Sequence, residues 1–106
     1  MKKTYKIETY LPKDSLDDIR NALYELGVGK IGNYVGCMNW YEVNSSWKPL
    51  IGANPYLGKI GEIELAKEYK LEFLCEKKMI EDAIKAIKFN HPYEEVGINV
   101  IEITSY

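Results

Sequence analysis

Little in this 106-residue chain suggests a charged partner or export from the cell. Fourteen basic residues stand against sixteen acidic ones, a formal net charge of −2. That balance gives no electrostatic footprint for nucleic acid or an anionic membrane. No apolar run comes near the ~18–20 residues that a membrane span needs. The opening MKKTYKIETY alternates charge with apolar groups and holds no signal-peptide core. With no export signal, the cytoplasm is the expected compartment. Only two cysteines occur, Cys37 and Cys75, without CxxC spacing. They are expected as reduced thiols rather than a disulfide staple. There is one histidine, His91, and a metal site wants three or four converging ligands. Low-complexity stretches and linkers are lacking too, so residues 1–106 are expected as a single domain.

What is present is a globular composition with many strand-forming aromatics. Hydrophobic residues make up 46% and charged residues 28%, the ordinary balance of a packed domain. Nine tyrosines suit strands, where a ring packs and its hydroxyl stays polar. The longest organised stretch is EIELAKEYKLEFLCE over residues 62–76. Ile63, Leu65, Lys67, Tyr69, Leu71, Phe73 and Cys75 alternate with Glu62, Glu64, Ala66, Glu68, Lys70, Glu72, Leu74 and Glu76, a nearly unbroken register. Successive strand residues face opposite ways, so one face is buried and the other wetted. At ~3.3 Å per residue this stretch would extend roughly 45–50 Å, more than a small domain covers. Part of it is therefore expected to project and to serve subunit contact.

The other elements follow in order. Residues 4–11 alternate as a first strand, and Pro12 ends it. Asp14 or Ser15 offers a helix N-cap, with Asp17 and Asp18 in the first turn. Ile19, Ala22, Leu23 and Leu26 form an amphipathic stripe, and Gly27 and Gly29 stop the helix. Residues 34–43, YVGCMNWYEV, read as the second strand, with Gly36 marking a bulge or a close contact. A long connection over residues 44–61 carries three glycines and two prolines, and connections of that length are usually functional or interfacial. After the long strand, Ile80, Ala83, Ile84 and Ile87 define a second helix over about residues 77–89. Pro92 restricts His91 to extended backbone, so this helix should end by Asn90. Residues 96–103 form the last strand. The order β-α-β-β-α-β predicts an α+β ferredoxin-like sandwich, with two helices on one face of an antiparallel four-stranded sheet. Its strand order is 4-1-3-2, with the long strand inside. Tyr and Trp on the open face favour cover by another subunit.

Four stretches together resemble one family: GKIGNYVGC at residues 29–37, GANPYLGKIGEIE at 52–64, EYKLE at 68–72 and HPYEE at 91–95. In this order they look like the small insert domain of the YqfO family, also called Nif-three-like proteins. The resemblance implies a fold similar to the trimeric PII-like signalling proteins and to the CutA proteins linked to divalent-cation tolerance. A homo-oligomer is implied, with a trimer favoured and a dimer compatible with the sequence. The two-metal site and cyclohydrolase-like activity suggested for larger members rest on histidines and carboxylates of a separate core. They do not transfer to these residues.

Candidate site residues lie in the long connection and in the turn after the second helix. Trp47, Asn54, Pro55, Gly58, His91, Tyr93 and Glu94 are the expected ligand or interface residues. His91 has two readings. One is a metal ligand or acid–base group, its proton favoured by the helix C-terminus and nearby carboxylates. The other is a helix-ending turn in which His91 and Tyr93 bond the last carbonyls. His91, Glu94 and Cys37 from adjacent subunits are the candidate ligands for a divalent ion, copper or zinc. The glycines at 52, 58 and 61 either wrap an anion or permit tight turns; the loop opens a strand, whereas a phosphate cradle opens a helix. Cys37 and Cys75, placed on neighbouring strands, read as small buried apolar residues, with pairing or Cu(I) binding as the alternatives. Trp40 suits core or interface, and Trp47 contact with another subunit. Ser45 and Ser46 have no identifiable base, and no catalytic residue is assigned. The expected function is a non-enzymatic, self-associating module that takes a small ligand or protein partner at subunit clefts. Divalent-metal binding is the alternative, and a stand-alone hydrolase ranks last.

Overall fold

The computed structural model describes residues 2–106. Its elements are β1 (Lys2–Leu11), α1 (Leu16–Leu26), β2 (Met38–Trp47), β3 (Glu64–Cys75), α2 (Ile80–Asn90) and β4 (Ile98–Ser105). Short 3-10 turns, Lys13–Ser15 and Lys77–Met79, lead into the two helices. The sheet is antiparallel in the order β2-β3-β1-β4, the ferredoxin-like order expected from the sequence. β3 lies inside, with β2 along nearly its whole length and β1 along residues 69–75 only.

Period-two alternation decides which face the helices cover. Ile7, Thr9 and Leu11 of β1 and Leu71, Phe73 and Cys75 of β3 are buried on one face. Leu16, Ile19 and Leu23 of α1, with Ala83 and Ile87 of α2, close the same core. Gly27 ends α1 in the left-handed region, φ 77°, and its N–H bonds the Tyr24 carbonyl at 3.0 Å. That conformation costs glycine nothing for lack of a Cβ. Gly36 is a close contact, since a Cβ there would fall 1.7 Å from the Tyr24 ring.

The helices are too short for the strand they cover. Eleven helical residues rise about 16 Å, whereas twelve strand residues run about 40 Å. The molecule accordingly measures 47 × 24 × 23 Å. The inner half of β3 buries Leu71 and Phe73, but Leu65 in the outer half is 75% exposed. The expected projection is therefore present, and it carries β2 with it as far as Trp47.

Several boundaries move. β2 runs from Met38 to Trp47 rather than over 34–43, because its ladder with β3 holds through the polar stretch Asn44-Ser45-Ser46. Pairing outweighs the weak strand propensity of those residues. Cys37 consequently precedes β2 instead of lying in it, and its N–H bonds the Gly29 carbonyl at 2.9 Å. Both cysteines are free. β4 begins at Ile98 and reaches Ser105. Neither helix takes a side-chain N-cap; the 3-10 turns lead into both, and Ser15 makes no capping bond.

The face away from the helices is polar and tightly paired. Lys6 Nζ lies 2.7 Å from Glu72 and 3.7 Å from Glu8, and Lys70 Nζ lies 3.5 Å from Glu8 and 3.4 Å from Glu72. The hydrogen bond from Lys6 holds the Glu72 carboxyl below its usual range, and Glu72 in turn raises Lys6. Tyr41 donates to Glu72 at 3.3 Å from the edge strand. Trp40 is not on this face. It pairs across to Leu71 on the helix side, where the Arg20 guanidinium lies 5.6 Å from its ring centre.

The two halves of β3 should respond differently to truncation. Leu71→Ala is expected to cost about 2–5 kcal/mol in urea unfolding, as a buried leucine does. In dilute solution Leu65→Ala should stay within about 0.5 kcal/mol, as exposed sites do. Equal costs at both positions would contradict the division.

Candidate functional site

The connection from β2 to β3 folds back on itself. Gly61 N–H bonds the Pro49 carbonyl at 2.8 Å, Ala53 N–H the Leu50 carbonyl at 2.9 Å, and Glu62 N–H the Lys59 carbonyl at 3.1 Å. Gly58, at φ 109°, packs beside Trp47, whose indole N–H donates to the Leu57 carbonyl at 3.1 Å. The glycines at 52, 58 and 61 all have positive φ, the turn reading of the two that the sequence offered.

The turn after α2 is pinned against this loop and across the end of the sheet. Helix α2 stops at Asn90, and His91 is extended at φ −101°, ψ 134°, as its place before proline requires. His91 Nδ1 accepts the Tyr93 N–H at 3.1 Å, so its Nε2 carries the proton that bonds the Tyr10 carbonyl at 2.7 Å. The buried Thr9 hydroxyl donates to the Gly97 carbonyl at 2.9 Å. Tyr93 then crosses to the open face and donates its hydroxyl to Glu68 at 2.7 Å. The loop answers from the other side, Asn54 N–H bonding the Glu94 carboxylate at 2.9 Å.

Between loop and turn lies a cavity of about 730 Å³, within the range that small ligands occupy. Trp47, Pro55, Tyr56 and Leu57 line it from the loop side, and Tyr93, Glu94 and Glu95 from the turn. Tyr10 and Glu68 line it from the sheet. The Tyr93 ring centre stands 5.8 Å from that of Trp47 and 5.9 Å from that of Tyr56. Burial, the hydrogen bond to Glu68 and the Glu68 charge all push the Tyr93 phenol above its ordinary value.

The seven expected ligand or interface residues gather around this one cavity. Trp47, Pro55, Tyr93 and Glu94 line it, Asn54 holds Glu94, Gly58 supports Trp47, and His91 lies under Tyr93. Trp47, half-buried, is held by its own chain through the Leu57 carbonyl and the Tyr93 ring. His91 differs from the protonated imidazole expected at a helix end. Its burial lowers the pKa, outweighing the Tyr10 carbonyl and the Glu68 charge, which raise it. Cys37 lies beside Gly29, which bonds the Leu74 carbonyl at the end of β3 away from Glu68. Within one chain it is not brought to His91 or Glu94. Among the described residues no three of His, Cys, Asp or Glu stand close enough to hold a metal ion. Cys75, buried, has its thiol pushed up to about 11 and stays protonated at neutral pH.

Glu68, Tyr10 and Tyr56 were missed in the sequence. Glu68 sits in the wetted register of β3, where a glutamate reads as solvated. Here it is buried, and the Tyr93 hydroxyl, returning over the sheet, bonds it.

No family model matches the chain. It is 42% identical over 99 residues to the Staphylococcus epidermidis protein named GTP cyclohydrolase 1 type 2 homolog, covering 93% of this chain and 27% of that protein. The chain thus spans about a quarter of the curated relative it matches. Among solved structures, the Bacillus cereus protein related to NIF3 superposes with a TM-score of 0.84 and 28% identity, over 97% of this chain and 26% of that one. The Archaeoglobus fulgidus periplasmic divalent cation tolerance protein CutA gives 0.70 at 17% identity, over 99% and 87%. GlnK of B. subtilis gives 0.64 at 15%, over 97% and 87%. The last two likenesses show the fold, CutA-like and PII-like, and nothing of function. The likeness to these proteins that the four motifs suggested runs over nearly the whole of this chain.

The neutral, buried His91 should give stability a specific pH dependence. Its folded pKa is lowered from 6.5, so the unfolded chain binds the proton more readily. The stabilisation is complete above 6.5 and is lost as pH falls through the lowered value. His91→Gln keeps an N–H for Tyr10 but cannot titrate. The stability difference between wild type and His91→Gln, from urea unfolding, should therefore shift against wild type between about pH 7.5 and pH 5. A constant difference would contradict the assignment.

Proposed function

We propose that this chain, the counterpart of one segment of the NIF3-related (YqfO) proteins, is a non-enzymatic, self-associating module with a ligand-binding cleft. The observation that carries self-association is the apolar projection. Leu50, Ile51, Ile63 and Leu65 stand exposed at the outer end of the β2–β3 hairpin, beyond the reach of the helices. Large apolar surface gathered at one end of a small molecule marks a contact site. A second copy supplies a matching surface, and Lys67, which flanks Leu65 on its own face, is already paired with Glu42. The expected assembly is a trimer, as the family resemblance implies.

Ligand capture rests on the cleft between the loop and the turn after α2. Its walls are ordered by their own hydrogen bonds, so little ordering entropy opposes binding. The residues supply no nucleophile with an adjacent base: Ser45 and Ser46 line the cavity, but His91 has both ring nitrogens engaged. Capture of a divalent cation through His91 would require that ring to release Tyr10 or Tyr93.

Size-exclusion chromatography with light scattering tests the association directly. Wild type at micromolar concentration should elute at the mass of three chains, and Leu65→Glu should elute as a monomer. A wild-type monomer would overturn the reading. An oligomer unaffected by Leu65→Glu would move the contact elsewhere. Repeating the run with zinc or copper, on wild type and His91→Gln, separates metal-driven assembly: each protein should keep the mass it has without metal.

A further inference from the structure

At its centre the open sheet face pairs its charges. There Glu8 and Glu72 each lie within ion-pair distance of Lys6 and Lys70. Glu68 lies farther along β3 on the same face as Glu72, only 4% exposed. Its Oε2 accepts the Tyr93 hydroxyl, and among the described residues no lysine, arginine or histidine stands within ion-pair distance. A carboxylate taken out of water without a counter-charge is costly, and one neutral hydrogen bond offsets only part of that cost.

The surroundings of Glu68 have the same sign. Glu94 and Glu95 also line the cavity, and the one basic lining residue is Lys48, on the rim. The remaining walls are largely rings and aliphatic groups: Tyr10, Trp47, Pro55, Tyr56, Leu57 and Tyr93. Aromatic faces attract cations through their quadrupoles, more strongly where water is excluded. A small hard metal ion asks instead for several oxygen ligands, and no such cluster is present among the described residues. An anion would meet three carboxylates.

We propose that the cleft binds an organic cation of the alkylated ammonium class, with Glu68 as its counter-charge and the rings of Trp47, Tyr56 and Tyr93 as its walls. The proposal rests on the reading of the cleft as a ligand site and names the ligand class for it. The cationic head sits against Glu68, and the alkyl skin replaces water on the aromatic walls. Tyr93 holds the carboxylate in place by its hydroxyl bond, and Asn54 keeps Glu94 at the rim.

Choline and its uncharged isostere 3,3-dimethylbutan-1-ol test this, with inorganic phosphate as the anionic probe. The readout is the Trp47 indole N–H resonance of the intact 15N-labelled chain, which reports at the cavity wall. Choline should shift it saturably, the alcohol should bind roughly tenfold more weakly, and Glu68→Gln should bring choline to the level of the alcohol. The substituted amide retains an oxygen to accept the Tyr93 hydroxyl, and an otherwise unchanged spectrum verifies the fold of the variant. If that variant does not fold, the comparison of choline with the alcohol on wild type still decides. Equal binding of both probes, or unchanged choline binding by Glu68→Gln, would overturn the cation and leave a ligand cleft. Phosphate binding with choline inert would do the same. Silence of the resonance to all three probes would overturn the cation and the cleft together.

Discussion

One strand is longer than the helices that cover it, and the molecule is arranged around that mismatch. β3 pairs with β2 almost throughout but with β1 only over its inner half. The helices, at about 16 Å each, pack over that inner half, where Leu71, Phe73 and Cys75 face inward. The outer half has a ladder on one side and no helical cover. Apart from Lys67 the apolar register continues through Leu65 and Ile63, so the pattern that makes a core at one end makes an exposed surface at the other. A single pattern thus produces two environments, and the boundary falls near Glu68.

That boundary is where the site forms. The turn after α2 emerges at the edge of the helix layer and has to cross the sheet to begin β4. Thr9, Tyr10 and Glu68 each bond it during the crossing. The loop of the projecting hairpin folds back towards it and contributes the Asn54 contact. The cleft is therefore a consequence of topology: two connections meet over the stretch of sheet that the helices leave bare. Its chemistry comes from a glutamate that the wetted register supplies and the crossing turn then bonds.

The sequence disclosed the sheet and helices because their signals are local. Alternation over β1 and β3, the two apolar stripes, the glycine after α1 and the proline after His91 each act within a few residues. β2 was misplaced by four residues at each end because its outer half is held by the ladder to β3, a partner distant in sequence. Trp47, Asn54 and Tyr93 were visible as candidates because aromatics and turn residues in a long connection are unusual. Their convergence within one chain was not visible, nor was the buried Glu68, bonded by a hydroxyl arriving from 25 residues away. The neutral state of His91 was hidden for the same reason. Helix-end electrostatics favour the proton, and only the packed surroundings show that burial wins.

Amide hydrogen exchange along β3, followed residue by residue at two protein concentrations, bears most directly on the divided strand. The inner amides, over residues 69–75, should exchange only through global unfolding at either concentration. The outer amides, over residues 64–67, should be protected at high concentration and exchange faster on dilution, as the covering copies leave. Uniform protection along the whole strand, indifferent to dilution, would contradict both the division and the association built on it.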